Sequence, residues 1–540
     1  MSLGKIVLGD ENLTMADVIA VAREGAEVEL SQGIRQKLLE TRKLIEGSWS
    51  DEDAPLVYSF NTGVGAFKDR RIAQADIKQF QTNLIYAHAT GIGEPLPVDA
   101  VRAVMLLRLN AFRSDHSGVS PAIADRLITF LNKGLCPVIP AKGSVGASGD
   151  LAPLSHMAGA MCGYDEAEII LDGRRMPAAE ALAKVGLPRD MDMQSKDASA
   201  LINGSTVSLA VAVLATWDAD QIARHADIGL ALSLEAMRCE KDAFDPALHA
   251  ARPHPGQQAV ARNVLKLIGS SERMTSEARK KRYPEEVSRD ETIAPARVQD
   301  TYSLRCAPQV HGPAREALTY VRGIVEREIN SATDNPLIVT DRDGRRAVSG
   351  GHFHGQYIAQ AMDLLTMAMT DLGSICERRV ARLIDPNMSY GLPRNLASGT
   401  QGLNTGYATV QCSISALVME NRTLSMPGSV DSIPGKGNAE DHVSNSMWCA
   451  QKARQVIDNL RSIVSVEILT GAQAISMVEE ISKGHPLAPA TQAVVDRIRK
   501  DIPARLEGDL WYAKDMYAIA ELVRSGAVMS ACEKVTGELE

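Results

Sequence analysis

The segment Gly143-Ser-Val-Gly-Ala-Ser-Gly-Asp-Leu-Ala-Pro-Leu-Ser-His156 interrupts a chain whose apolar residues otherwise follow a largely helical period. Its glycines, together with Pro137 and Pro140 just before it, predict a loop with unusual backbone geometry. The patterns on either side of this loop differ. Short helices and a few β segments precede it or follow it closely, whereas long helices dominate after residue 197.

Ala147-Ser148-Gly149 lies at the centre of this loop. A glycine nitrogen has no Cβ beside it, so a tight turn can bring the Gly149 nitrogen against the carbonyl carbon of Ala147. Attack and loss of water would close a five-membered ring, and loss of the Ser148 hydroxyl would leave a methylidene group, an electrophile that no ordinary side chain supplies. The tripeptide alone favours a simpler interpretation, a glycine-rich loop that only turns the chain.

The second half of the chain carries the strongest helical pattern. Several predicted helices exceed 20 residues, and long helices with little β content indicate an elongated bundle. We therefore predict a mostly α fold with a small N-terminal α/β region, divided into residues 1–197, 198–480 and 481–540. The β segments expected in the first part are Leu56–Phe60 and Ala167–Arg175, the latter with a hairpin turn at Asp172-Gly173. The main predicted helices are 205–237, 255–269, 312–331, 354–382, 404–425, 441–479 and 489–502.

Composition narrows the classes of function. The 540 residues carry a formal net charge of −9, which argues against nucleic acid as the main partner because no basic stripe is available for phosphates. The N-terminus lacks the apolar run of a signal peptide, and the apolar stretch 207–216 is too short to span a bilayer. Eight scattered cysteines without a Cys-x-x-Cys pair resemble reduced thiols, and no metal-binding motif stands out. We expect a soluble, cytoplasmic protein without a membrane partner or a metal.

The residues around Ala147-Ser-Gly149 favour the self-formed electrophile over a glycine-rich loop that only turns the chain. The 14-residue segment closely resembles the signature of the aromatic amino acid lyase family, which holds histidine, phenylalanine and tyrosine ammonia-lyases and related aminomutases. Further segments resemble the family in the same order along about residues 10 to 480. These segments are 58–65 (YSFNTGVG), 83–91 (NLIYAHATG), 201–204 (LING), 298–309 (VQDTYSLRCAPQ), 333–336 (TDNP), 349–354 (SGGHFH), 402–406 (GLNTG), 429–434 (SVDSIP) and 438–444 (NAEDHVS).

The resemblance implies a cofactor, a fold and an assembly. The family is mostly helical and usually tetrameric, with sites that draw residues from three subunits. Its self-formed electrophile is methylidene-imidazolone, which here would arise from Ala147, Ser148 and Gly149 without an external cofactor. Tyr58 matches the family's base, which takes the weakly acidic β-proton of the substrate. Tyr302 matches a residue at the electrophile.

Four further residues match substrate-binding positions of the family. Arg305 corresponds to the arginine that grips the substrate carboxylate, a task for which a planar guanidinium is better suited than a lysine. Asn203 and Gln299 match residues that hydrogen-bond the carboxylate or the oxygen of the electrophile, although capping of a turn or helix is the alternative role. Phe353 resembles an aromatic residue beside the electrophile, with plain packing as its alternative.

Two positions bear on the identity of the substrate ring. His88 and Glu440 match residues of the family's histidine enzymes, whereas phenylalanine enzymes commonly carry glutamine at the position of Glu440. A carboxylate is a good partner for an imidazole N–H and a poor neighbour for a phenyl ring. These residues favour L-histidine as substrate and urocanate as product. A structural role for both, a tyrosine or phenylalanine lyase, and an aromatic aminomutase remain as alternatives.

The chain also departs from the family's patterns. Compared with the histidine enzymes, Lys196-Asp-Ala-Ser-Ala200 replaces the usual Lys-Glu-Gly-Leu-Ala, and Ala439 replaces a glutamine. The family's common Thr-Gly-Phe-Gly turn is here Thr62-Gly-Val-Gly65. Ser199 and Ala439 therefore alter the predicted lining of the pocket and leave room for a modified imidazole amino acid or another aromatic substrate.

Overall fold

The computed structural model describes residues 4–49, 51, 53–286, 298–342, 344–435 and 439–540. It is 58% helix and 8% strand, which confirms the predicted mostly α fold. None of the helices in these ranges has the length and apolar character needed to cross a membrane.

The chain divides into two compact units. Unit 1 comprises residues 1–215, 321–363 and 427–454, and unit 2 comprises residues 216–320, 364–426 and 455–540. Each unit consists of three chain segments that are close together in space but separated in the sequence. The division into 1–197, 198–480 and 481–540 stays a prediction.

Four long helices account for much of the helical content, and four of the five boundaries between the units fall within them. Their apolar residues recur at helical spacing over six or more turns, which is the pattern that the sequence predicted. They are Thr206–Ala236, Ala307–Ile329, Gln356–Leu383 and Ser446–Met477.

Unit 1 also holds the helices that precede Thr206 in the chain. Thr14 opens the first of them with a capping box, and Pro121 stands at the first turn of another, where its missing N–H costs nothing. These helices are Met15–Ile19, Gln32–Trp49, Ile77–His88, Val98–Arg113, Pro121–Asn132, Leu151–Cys162, Ala178–Lys184 and Asp197–Ile202, with a π-helical turn at Ala20–Glu24 and 3-10 turns at Gly65–Phe67 and Gln74–Asp76.

Every strand in the described ranges lies in unit 1, in four small sheets. Ile6–Leu8 pairs in parallel with Val28–Leu30, and the other pairings are antiparallel. The antiparallel sheets are Ile92–Pro95 with Pro140–Lys142; Cys136–Pro137 with Glu168–Leu171 and Arg174–Pro177; and Leu337–Asp341 with Gly344–Val348. Asp172 and Gly173, both with positive φ, form the two-residue turn of the predicted hairpin, because Leu171 pairs with Arg174.

The predicted strand Leu56–Phe60 is wrong. Residues 58–60 form a turn, and Ser59 has a φ of 63°. Phe60 is buried in a small cluster with Ile45 and Ile338, so the apolar residues that suggested a strand are explained by core packing of a turn.

The regular secondary-structure elements in the described residues of unit 2 are helices, joined by loops. Its shorter helices are Pro246–Ala250, Pro255–Ile268, Ser276–Lys280, Tyr302–Arg305, Ala408–Leu424, Pro489–Asp501, Tyr512–Arg524 and Ala527–Thr536, with 3-10 turns at Asp242–Phe244 and Arg394–Leu396.

Candidate active site

The loop 143–150 ends at the first turn of the Leu151–Cys162 helix. Ala147 is buried, and Ser148 is half-buried. The Ser144 hydroxyl donates to the Gly149 carbonyl oxygen at 3.3 Å and to the Asp150 carboxylate at 2.8 Å. Asp150 also accepts the Ser208 amide at 2.7 Å and the Ser208 hydroxyl at 2.8 Å. The turn is therefore fastened to the rest of unit 1 by a buried carboxylate.

Gly149 lies directly against the backbone of Gly204. A Cβ at Gly149, whose φ is +67°, would stand 2.0 Å from the Gly204 carbonyl carbon. The Gly204 N–H donates to the Ser148 carbonyl at 3.3 Å, and the Asp150 N–H donates to the Gly204 carbonyl at 2.8 Å. Only glycine fits this approach. A tight turn without a side chain at Gly149 is what the predicted ring closure needs, so these residues fit a methylidene-imidazolone group.

Six of the predicted site residues line one cavity of about 1100 Å³ within unit 1. They come from six separate chain segments, so their meeting is a result of the fold and not of sequence proximity. The six are Tyr58, His88, Ser148, Asn203, Phe353 and Glu440. Ser199 and Ala439, the two departures from the histidine enzymes, line the same cavity, as does Asn335.

Tyr58 begins the turn 58–60, which comes after the Gln32–Trp49 helix in the chain. Its hydroxyl oxygen accepts the backbone N–H of Gly65 at 3.2 Å. Gly65 has a φ of +58° and opens a short 3-10 turn, a geometry that directs its amide towards the ring. This hydrogen bond fixes the phenolic oxygen at the cavity that Tyr58 lines.

His88 ends the Ile77–His88 helix. Its Nδ1 lies 2.8 Å from the Leu84 carbonyl oxygen. Because a carbonyl can only accept, Nδ1 carries the hydrogen, and in the neutral ring Nε2 is then an acceptor. Glu440 pairs with Gly435 in an isolated bridge, and one of its carboxylate oxygens accepts the Ser148 hydroxyl at 2.6 Å. A carboxylate therefore stands at the position where the electrophile is expected.

Asn203 is buried at the end of the Asp197–Ile202 helix. Its amide nitrogen donates to the Asp334 carboxylate at 3.2 Å and to the Asn335 carbonyl at 3.0 Å. The amide group thus serves the fold of unit 1 at the edge of the cavity. Its predicted contact with the substrate or the electrophile stays a prediction.

The structure places Gln299, Tyr302 and Arg305 in unit 2, where they line a different pocket of about 570 Å³. Tyr302 is 71% exposed, and the Arg305 guanidinium lies 4.7 Å from the centre of its ring. The Arg305 Nε donates to the Asp300 carbonyl at 2.7 Å. This contact leaves the two terminal nitrogens in the fork arrangement that a carboxylate accepts.

Asp300 and Arg379 support this segment, and the sequence did not single them out. Asp300 is buried and accepts the Tyr390 hydroxyl at 2.9 Å and the Glu240 amide at 2.6 Å. Arg379, paired with Glu467 in the interior of unit 2, donates to the Ser303 carbonyl at 3.2 Å. Asp300 lies inside the family-like segment 298–309, but nothing in the sequence indicates that its side chain is buried.

Comparison with known proteins gives a consistent result. A family model described as aromatic amino acid lyase matches residues 13–500. A histidine ammonia-lyase from Symbiobacterium thermophilum is 42% identical over 98% of both chains, and one from Alkaliphilus oremlandii is 41% identical over 98% of this chain and 99% of that protein.

Two solved structures are similar over almost the whole chain. The tyrosine aminomutase from Streptomyces globisporus has a TM-score of 0.90 at 35% identity and covers 99% of this chain and 100% of that one. The histidine ammonia-lyase from Trypanosoma cruzi has a TM-score of 0.87 at 33% identity, with 99% and 96% of the two chains covered. The protein belongs to the aromatic amino acid lyase family.

Proposed function

We propose that this chain is a histidine ammonia-lyase, which eliminates the α-amino group of L-histidine to give urocanate and ammonia. The observation that carries the proposal is the position of Glu440, whose carboxylate contacts Ser148 in a cavity that His88 also lines. Hydrogen-bond acceptors suit an imidazole ring, which offers an N–H donor, better than they suit a phenyl ring, which offers none. The histidine ammonia-lyases that are 41–42% identical to the chain support the same substrate.

The proposed cofactor is methylidene-imidazolone formed from Ala147, Ser148 and Gly149. When formed, it supplies an electrophilic carbon that activates the substrate for loss of ammonia. The side-chain-free contact between Gly149 and Gly204 supports this assignment. Ser148→Ala removes the hydroxyl that must leave, so we expect loss of nearly all turnover, and retained activity would contradict the proposal.

Tyr58 is the proposed base for the β-proton of the substrate. The Gly65 N–H on its oxygen stabilises the negative charge that this role requires. Phe353 provides an apolar wall in the same cavity.

Arg305 is the proposed carboxylate-binding residue, with Gln299 and Asn203 as further hydrogen-bonding groups and Tyr302 at the electrophile. Three of these residues lie in the unit 2 pocket. We therefore propose a homotetramer in which one subunit supplies Ser148 and another supplies Arg305. Separately inactive Ser148→Ala and Arg305→Met chains should regain activity when they are dissociated and reassembled together, whereas failure to complement would refute shared sites.

We also propose a cytoplasmic location. All eight cysteines are free thiols, and most of them are buried, which suits a reducing compartment. Fractionation of cells that express the native gene, with detection of the chain in the cytosolic fraction, checks this.

The second candidate is an aromatic 2,3-aminomutase, favoured by the TM-score of 0.90 to a tyrosine aminomutase. In such an enzyme the product stays enclosed long enough for ammonia to return to the β-carbon. The purified protein should be incubated separately with L-histidine, L-tyrosine and L-phenylalanine, and products followed by ultraviolet absorbance and mass. Urocanate from histidine supports the first proposal. A β-amino acid would support the second, and cinnamate-type products without urocanate would refute both the histidine assignment and the role of Glu440.

A further inference from the structure

Arg108 is fully buried in the Val98–Arg113 helix, at a place that is not in the cavity lining. Its guanidinium donates to three groups: the Asn203 carbonyl at 2.7 Å, the Thr206 hydroxyl at 3.2 Å and the Thr333 carbonyl at 3.2 Å from both terminal nitrogens. Two of these acceptors are backbone carbonyls on separate segments. Arg108 therefore joins the Asn203–Gly204 backbone to the segment around Thr333.

Stability alone does not account for a cation at this position. Burial lowers the pKa of Arg108 to about 10, with Asp334 acting in the opposite direction, and its Nε has no hydrogen-bond partner among the described residues. A buried charged group is often no more stabilising than a well-packed apolar residue of similar size. The role of Arg108 is therefore better inferred from the groups that its terminal nitrogens contact.

Gly204 is the residue that these contacts hold. Its φ is +136°, and an added Cβ would stand 2.1 Å from the Thr333 carbonyl oxygen and 2.5 Å from Nη1 of Arg108. On its other side Gly204 meets Gly149 in a parallel bridge. The Gly204 backbone is thus enclosed between the guanidinium and the turn that is expected to cyclise.

We propose that Arg108 and Gly204 are positioning residues for the self-processing of Ala147-Ser148-Gly149, an inference that rests on the proposed electrophile. Gly204 forms the wall against which the Ser148–Gly149 backbone turns, and Arg108 fixes that wall. Asp150, which is held by Ser208 and donates its own N–H to the Gly204 carbonyl, fixes the opposite end of the turn.

The chemistry that this wall assists balances as the loss of two water molecules. The Gly149 nitrogen bonds to the Ala147 carbonyl carbon, and the carbonyl oxygen leaves with the Gly149 and Ser148 amide hydrogens as the first water. The Ser148 hydroxyl then leaves with its α-hydrogen as the second, which forms the carbon–carbon double bond. Restriction of the turn matters for the first step, because that step requires the nitrogen and the carbon to be held in close contact.

Intact-mass spectrometry tests the proposal without reference to turnover. The wild-type chain should lack the mass of two waters relative to its sequence, and Ser148→Ala, which has no hydroxyl to lose, should lack at most one. In Arg108→Met we expect the fraction of processed chain, at a fixed time after synthesis at which the wild-type chain is itself processed only to a small extent, to fall at least about tenfold, equivalent to about 1.4 kcal/mol in the barrier. Arg108→Lys, which keeps the charge but not the planar fork, should give an intermediate fraction.

Arg126→Met is the matched control. Arg126 is also buried, and it donates two hydrogen bonds of 3.1 Å to the Pro188 carbonyl, so its loss removes a comparable structural anchor. Soluble Arg108→Met and Arg108→Lys chains that are processed as completely as Arg126→Met would overturn the proposal. If Arg108→Met does not fold, the Arg108→Lys chain decides. A wild-type chain of full encoded mass would overturn the proposed electrophile itself, which distinguishes that failure from this one.

Discussion

Glu440→Gln tests how the site reads the substrate ring. One Glu440 carboxylate oxygen lies 2.6 Å from the Ser148 hydroxyl, so the charge stands beside the proposed electrophile. Glutamine has nearly the same shape and keeps one acceptor oxygen, but it is neutral. The substitution therefore changes the charge at the ring position and leaves the packing almost unchanged.

The expected magnitude follows from the bond that histidine would make there. A hydrogen bond from a ring N–H to a charged acceptor contributes about 1.5 to 3 kcal/mol. Loss of that contribution should lower kcat/KM for L-histidine by about 10- to 150-fold. For L-phenylalanine, whose ring has no donor, the carboxylate only adds a desolvation cost, so kcat/KM should stay constant or rise. The ratio of the two values is the diagnostic quantity.

The assay compares kcat/KM for the two amino acids in the wild-type protein and in the variant, with product formation followed by absorbance. Asp441→Asn is the matched control, because it makes the same chemical change one residue along the chain, at an exposed side chain outside the cavity lining. Intact mass shows whether each variant is processed. A fully processed Glu440→Gln chain that loses the same factor on both substrates, or keeps its activity on histidine, would refute ring recognition by Glu440.

Three further predictions concern Tyr58 as the proposed base, Arg305 as the proposed carboxylate-binding residue, and the loss of stability at low pH. Tyr58→Phe should lower kcat by about 100-fold or more while leaving the intact mass unchanged, since only the proton acceptor is lost; a stopped-flow or steady-state assay checks this, and unchanged kcat would exclude Tyr58 as the base. Arg305→Lys should raise KM and lower kcat/KM by about tenfold or more, because a lysine cannot replace the planar fork; equal kinetics in the two proteins would contradict it. Burial raises the pKa of Asp363, but hydrogen bonds from Lys452 and Ser429 outweigh this, and the pKa is lowered overall. The stability that the ionised Asp363 side chain contributes is therefore present above the ordinary aspartate pKa of about 3.9 and is lost as the pH falls through the lower pKa of the folded state. As the pH is lowered from 7, the melting temperature of Asp363→Asn should therefore fall less than that of the wild type. Parallel curves of melting temperature against pH would refute this.

The long helices were predictable because their periodicity extends over many turns. The predicted ranges 205–237 and 354–382 agree with Thr206–Ala236 and Gln356–Leu383 to within two residues at each end. The predicted helix 441–479 begins only at Ser446, because Asn445 has a φ of +54° that a helix does not accept. Helix starts thus depended on local backbone geometry, which periodicity does not report.

The candidate site, too, was predictable from the sequence only in part. Motif resemblance identified Tyr58, His88 and Glu440, and the fold brings them into one cavity. Arg108 was not identifiable, because it stands in an apolar helix and its partners are 95, 98 and 225 residues away. Contacts of that kind arise only from tertiary packing.

The lining of the cavity bears on which imidazole amino acid is accepted. Ser199 is buried, and its hydroxyl donates to the Lys196 carbonyl at 3.1 Å, so it is already engaged in the backbone of unit 1. Ala439, beside Glu440, is exposed to the cavity and presents only a methyl group. Of the two departures from the histidine enzymes, Ala439 therefore leaves more space next to the Glu440 carboxylate than a glutamine would, whereas the Ser199 hydroxyl is already hydrogen-bonded and offers little to a substrate. We expect a ring with an added substituent to fit beside Ala439 while it keeps the proposed contact with Glu440. Ala439→Gln should consequently narrow the range of imidazole substrates while sparing L-histidine itself, and an equal loss on all of them would show that the small residue serves another purpose.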